Sequence, residues 1–364
     1  MTFAGVVQTA VLVAVAVGAV AVATRLAWRA IGAFKISRAG PRRLRAARHL
    51  IWRDPGDVRA LDLVHGPGGP DYEPQPPFRF IEEHLSGSQP CVSVIDGRGR
   101  RWRVKWGNEV RAENFAVRLV WACGFFAETT YFVPAGRIEG AANLSRAKAC
   151  IGDDCAFAEA RFELDDPDVR KLFEEHSWSW NENPFVGTRE LHGLKVLTML
   201  LSDWDTKDRR DVARGSNTAI FEHRVRRFRW EARYLITDWG GSMGRWGANI
   251  VTRGRWDPAG FAAQTPQFVT GVQDGIVRFG YAGQRTADVA EGIRVADVRW
   301  LNEYLGRITN AQIHGALIAS GANDEDATVF ARAIRDRISQ LSALGSQLSA
   351  VSGRSPANVD HRSS

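Results

Sequence analysis

The sequence predicts an α+β fold of two lobes, a small β-rich lobe and then a larger helical one, behind an N-terminal transmembrane helix. Three observations predict it. Apolar and polar residues alternate through "CVSVID" and "RWRVKW", which flank "GRGR", a β-hairpin pattern with Asp96-Gly97 at the turn. A second strand pair, "TAIFEH" and "RYLITD", brackets a basic turn in mid-chain. The last third changes period, and "VADVRWLNEYLG", "NAQIHGALIASG" and "DATVFARAIRDRISQL" space their apolar residues as helices do.

The N-terminus comes first. Residues 3–24, "FAGVVQTAVLVAVAVGAVAVAT", carry no charge. At about 1.5 Å per residue such a helix crosses a hydrocarbon core of about 30 Å. No Lys or Arg precedes the run, whereas Arg25, Arg29, Lys35, Arg38, Arg42, Arg43, Arg45 and Arg48 follow it. The positive-inside bias then predicts an uncleaved single-pass anchor with the body in the cytoplasm. The basic juxtamembrane segment, residues 25–53, can lie against anionic headgroups. Export after cleavage near Ala23 is the alternative, because Ala21-Val22-Ala23 fits a small-x-small site. The formal net charge is +7, yet residues 1–53 hold nine basic residues and no acid, which leaves 54–364 at −2. Nucleic acid is therefore not an expected partner.

The other elements follow in order. Residues 54–77, with "HGPGGPDYEPQPP", read as a Pro/Gly-rich linker. The first lobe spans 78–140. In it "EVRAENFAVRLVWACG" reads as a helix closed by Gly124, and "TTYFVPAG" returns to strand. Residues 141–184 form an inter-lobe region. Its Trp178 and Trp180 fit either a stacking platform for a base or core packing, and packing is the expected role. The second lobe, 185–344, opens with the helix "GTRELHGLKVLTMLL", and the polar tail 345–364 reads as disordered. Cys91, Cys123, Cys150 and Cys155 lack zinc-site spacing and are too few for a disulfide framework, so buried thiols are expected. "HRVRRFRW" reads as a solvated basic hairpin.

Chemistry-bearing residues sit on these elements in a telling order. Lys105 ends a strand, and Glu113 projects from the apolar face of the next helix, where a lone carboxylate would be costly. A strand lysine meeting that carboxylate satisfies both, with Glu109, one turn earlier, as the alternative partner. "SDWDTKDRRD" follows a hydrophobic helix and supplies Asp203, Asp205, Lys207 and Asp208. The strand "RYLITD" then delivers Asp238 to Trp239-Gly240, a position suited to holding a hard cation near phosphate.

This order resembles the protein-kinase-like fold, closer to its atypical lipid-kinase-like, toxin-kinase and secretory-kinase-like groups than to ordinary protein kinases. The likeness covers roughly residues 78–340 and makes 78–140 and 185–344 the kinase-like N-lobe and C-lobe. It implies that Lys105 holds nucleotide phosphates and pairs with Glu113. Asp205 corresponds to the catalytic aspartate and Lys207 to the lysine facing the transferred phosphate. Asp238 corresponds to the D-F-G metal ligand, and ATP and Mg²⁺ are the implied cofactors. There are departures. No G-x-G-x-x-G loop precedes Lys105. Arg210 stands where the family has a metal-binding asparagine, so Asp208 or Asp211 supplies an oxygen there or Arg210 neutralises charge. Asp203 is an alternative base. The resemblance thus implies a membrane-anchored phosphotransferase acting on an unidentified hydroxyl acceptor, or else an inactive pseudokinase serving as a tethered scaffold.

Overall fold

The computed structural model describes residues 48–85, 89–171, 177–206, 217–226, 229–249, 251–284 and 286–352. The expected anchor at 3–24, most of the basic segment 25–53, and Lys207, Asp208, Arg210 and Asp211 lie outside the described residues. Among the described residues no helix is long and apolar enough to cross a membrane.

A short strand, β1 (Arg48–Leu50), opens the body. The stretch expected to be a free linker follows and is instead packed. Val58 and Leu63 are buried. The side chain of Gln312 donates to the carbonyls of Val58 and Leu61, both at 2.9 Å. Tyr131 donates to Gly69 O at 2.6 Å. Pro and Gly here shape tight 3-10 turns whose carbonyls the body satisfies.

Next come β2 (Phe78–His84), β3 (Cys91–Ile95) and β4 (Arg101–Lys105). The β3–β4 turn forms as the sequence predicts. Asp96 Oδ1 accepts from the backbone N–H groups of Arg98 and Arg100, at 2.9 and 2.8 Å, and Oδ2 accepts from Trp102 Nε1 at 3.0 Å. Helix α1 (Val110–Ala122) follows and ends before Gly124, whose φ is +89°. A Cβ on Gly124 would lie 2.3 Å from the Arg53 carbonyl, so both conformation and space require glycine.

Strands β5 (Thr130–Glu139) and β6 (Ala156–Leu164) complete a closed barrel in the order β2-β3-β4-β6-β5. The β-rich unit thus extends past residue 140 to Leu164. Sequence order hid this, because β6 returns to pair with both β4 and β5. Phe78, Val92, Val94, Trp102, Val104 and Phe162 fill the barrel. Side chains alternate across a strand, so Arg103, Lys105, Arg161 and Glu163 point outward from it.

A second sheet, in the order β1-β9-β8-β7, is built with β7 (Val169–Lys171), β8 (Thr218–Arg226) and β9 (Arg229–Ile236). Between β7 and β8 runs α2 (Arg189–Leu200), capped by Thr188 and buried from Leu191 to Leu200, with His192, Lys195 and Thr198 among its buried residues. The helical part comprises α3 (Pro258–Gln264), α4 (Thr286–Ala290), α5 (Val295–Leu305), α6 (Asn310–Ile318) and α7 (Asp324–Ser352). A small hairpin, β10 (Val269–Gln273) with β11 (Ile276–Phe279), interrupts them. Helix α7 packs on α3, α5 and α6, and it continues to Ser352, into the expected disordered tail. Trp178 and Trp180 are buried edge to face at 5.4 Å, and Trp178 Nε1 donates to the carbonyls of Ala219 and Leu235. They are core residues and offer no stacking surface.

Candidate active site

Strand register sets the first layer. Lys105 on β4 pairs directly with Arg161 on β6, so two cations sit side by side on the outer face of the barrel. Like charges there need acids above them, and α1 supplies Glu113. Its carboxylate lies 2.6 Å from Arg161 Nη1, and the two side chains are 2% and 1% exposed. The contact is a close charge pair without hydrogen-bond alignment, since neither atom completes a hydrogen bond. Arg161 also reaches Glu128 at 3.2 Å and Glu163 at 3.1 Å.

This corrects the expected Lys105–Glu113 pair. Arg161 takes the direct contact because its longer fork spans three carboxylates at once. Lys105 still senses the cluster. Burial opposes its charge, but Glu113, Glu163 and Asp238 hold its pKa above the ordinary lysine value. For Glu113, burial dominates and pushes the carboxyl up against the pull of Arg161 and Lys105.

Glu109 stands just before α1, makes no side-chain capping bond, and pairs with Arg255 at 2.9 Å. Burial, then the nearby Asp238 charge, raises its pKa. One carboxylate oxygen from each of Glu109, Glu113 and Asp238 lies within 4.8 Å of the others. Asp238 follows β9 and accepts from the Gly240 N–H at 3.0 Å. These three acids are the group that fits a hard divalent cation, because such ions take oxygen ligands and would relieve their mutual repulsion.

The glycines after Asp238 bring the other acids close. A Cβ on Gly240 would stand 2.8 Å from Glu109 Cδ, and one on Gly241 would stand 2.7 Å from Asp203 Oδ1 and 2.8 Å from Asp205 Cβ. The D-W-G-G turn is therefore pressed between the start of α1 and the 203–205 loop. Asp203 is 2% exposed, and its Oδ1 accepts from the Asp205 N–H at 3.1 Å. Burial, then Asp205 and Asp238, pushes its pKa well above the carboxylate range. Asp205 is half-buried and accepts from Gln284 Nε2 at 2.7 Å. Of the two, Asp205 is the more exposed, and Asp203 braces the loop.

The sequence reading missed several residues of this site. Arg161 carried a faint signal, an arginine between Ala160 and Phe162 in an alternating strand. Arg255 had none, yet its guanidinium stacks 4.9 Å from the Trp204 ring while pairing with Glu109, and so joins the 203–205 loop to α1. Arg337 on α7 donates to Leu200 O at 2.7 Å and Ser202 Oγ at 2.8 Å, which fixes the end of α2 where the acids begin. A cleft of about 160 Å³ opens beside Arg103 of β4 and does not include Lys105 in its lining. Arg103, Glu163, Leu164, Val169, Phe221 and His223 line it.

No family model matches the sequence, and no curated protein matches it. Among solved structures, the crystal structure of the Golgi casein kinase with Mn/ADP bound matches with a TM-score of 0.36 and 10% identity. The match covers 75% of this chain and 74% of that one.

Proposed function

We propose that the chain is a kinase-like phosphotransferase that uses Mg-ATP to phosphorylate a hydroxyl acceptor, tethered to a membrane by residues 3–24. The observation that supports it best is the meeting of Lys105, Glu113 and Asp238 in one partly buried cluster beside Asp203 and Asp205. Lys105 binds phosphate oxygens, and the Arg161–Glu113 pair keeps its strand and α1 in register. Glu109, Glu113 and Asp238 would hold the metal, which supplies charge neutralisation on the phosphates. Asp205 takes the acceptor's proton while the acceptor oxygen bonds to the γ-phosphorus and the bond to the β-phosphate oxygen breaks, releasing ADP. Such catalysis is positioning and electrostatics.

A catalytically inactive pseudokinase scaffold, with nucleotide binding weak or absent, is the second reading, favoured by one observation: Arg161 takes the direct contact with Glu113. Two assays separate them. Mg-ATP should raise the melting temperature of the wild type and leave Lys105→Ala and Asp238→Ala unmoved. Transfer of labelled γ-phosphate should fall about 100-fold or more in Asp205→Asn while its thermal response persists. A thermal response without any transfer to protein, lipid or small-molecule hydroxyls would favour the scaffold. No response to any nucleotide would remove the phosphotransferase and leave the scaffold.

A further inference from the structure

Between β11 and α4 the chain turns back onto the 203–205 loop and grips it at three consecutive residues. The Tyr281 hydroxyl donates to Asp203 O. The backbone N–H of Gln284 donates to Trp204 O at 3.0 Å. Its side-chain Nε2 donates to Asp205 Oδ1 at 2.7 Å. Gly283 lets the two segments come this close, since a Cβ there would overlap the Tyr281 hydroxyl and stand 3.2 Å from Trp204 O. The Gly283 N–H donates to Thr286 Oγ1 at 2.9 Å, which ties the turn to the first residue of α4.

The three contacts differ in what surrounds them. Tyr281, Asp203 and Trp204 are buried, so the first two satisfy polar groups of buried residues. The third lies at the surface, where Gln284 is exposed and Asp205 half-buried. Water would solvate both side chains if they parted, so this bond adds little to stability. Its effect is on direction. The backbone of Asp205 is held on both sides, its N–H by Asp203 Oδ1 at 3.1 Å and its carbonyl by Asn217 Nδ2 at 2.6 Å. The side-chain torsions remain to be set, and χ1 has three staggered choices. A donor 2.7 Å from Oδ1, on a residue whose own backbone is anchored to Trp204, favours one of them.

We propose that Gln284 is a positioning residue for Asp205, aiming the carboxylate that takes the proton of the acceptor hydroxyl. The role rests on the phosphotransferase reading and deepens it. Gln284 acts through Asp205 and leaves nucleotide binding to Lys105 and the acids around Asp238. Misplacing a reacting group by about 1 Å can cost about 100-fold in rate, far more than the lost bond costs the fold.

Steady-state hydrolysis of Mg-ATP by the full-length chain, with water as the acceptor, tests this alongside melting curves. Gln284→Ala should lower kcat about tenfold or more, with the KM for ATP and the Mg-ATP thermal shift as in the wild type. Its nucleotide-free melting temperature should stay within about 2 °C of the wild type, as for an exposed substitution. Gln284→Glu keeps the shape but lacks the N–H, so it should lose at least as much rate as Gln284→Ala. The proposal fails if Gln284→Glu restores the rate, or if kcat and the thermal shift fall together. A wild type that hydrolyses ATP while Gln284→Ala matches it overturns this role alone. A wild type that hydrolyses none overturns the phosphotransferase reading with it.

Discussion

Arg161 carries more of the site than any residue chosen from the sequence. It is the shared counterion of Glu113, Glu128 and Glu163, all within 3.2 Å. Removing one partner from a buried ion cluster costs about 3–5 kcal/mol, because the orphaned charges stay desolvated. Arg161→Met should therefore lower the unfolding free energy measured in urea by that order, and a loss below about 1 kcal/mol would mean the cluster relaxes into water. Lys105, Glu113 and Asp238 were legible because each stands on or beside a regular element with an apolar approach. Arg161 was not, since its role depends on which strand lies across from Lys105, and alternation gives a side chain's face without its partner. His223 offers a pH test. Its folded pKa of about 4 lies below the ordinary 6.5, so the unfolded chain binds the extra proton between those values. Stability should fall as pH drops from about 6.5 towards 4, and His223→Gln should flatten that part of the profile. An equal slope in both proteins would assign the acid sensitivity to other groups.

Among the elements, the D-W-G-G turn has little freedom. Gly241 tolerates no Cβ without displacing Asp203 and Asp205, where a methyl would also meet the Asp205 backbone nitrogen at 3.0 Å. Gly241→Ala should cut phosphate transfer more than it cuts the thermal response to Mg-ATP, because it moves the 203–205 loop and spares Lys105. Kinetics and melting curves on one preparation check this, and parallel losses would place the whole site on that glycine. Helix α1 shows what sequence reading handles well. Its start, apolar face and Gly124 stop were all visible, and the structure forms Val110–Ala122. The barrel shows the opposite case. Closure by β6 is a long-range pairing, and residues 141–184 carry no local mark of it.

At the scale of the molecule, the 54–77 segment binds the parts together, although its composition reads as a linker. Proline and glycine announce turns, and whether a turn is free or packed depends on its carbonyl partners elsewhere in the chain. Gln312 of α6, Tyr131 of β5 and Arg118 of α1 supply those partners. Leu63→Ala should cost about 2–5 kcal/mol, as for any buried leucine, and a linker would lose almost nothing. Chemical denaturation distinguishes the two. The central claim is that the Glu109, Glu113 and Asp238 carboxylates seat a divalent metal against a nucleotide held by Lys105. Electron paramagnetic resonance of Mn²⁺ with ATP tests it most directly. The wild type should quench the free-ion signal beyond what ATP alone does, while Asp238→Ala and Lys105→Ala should not. Equal quenching by the wild type and both folded variants would contradict the account.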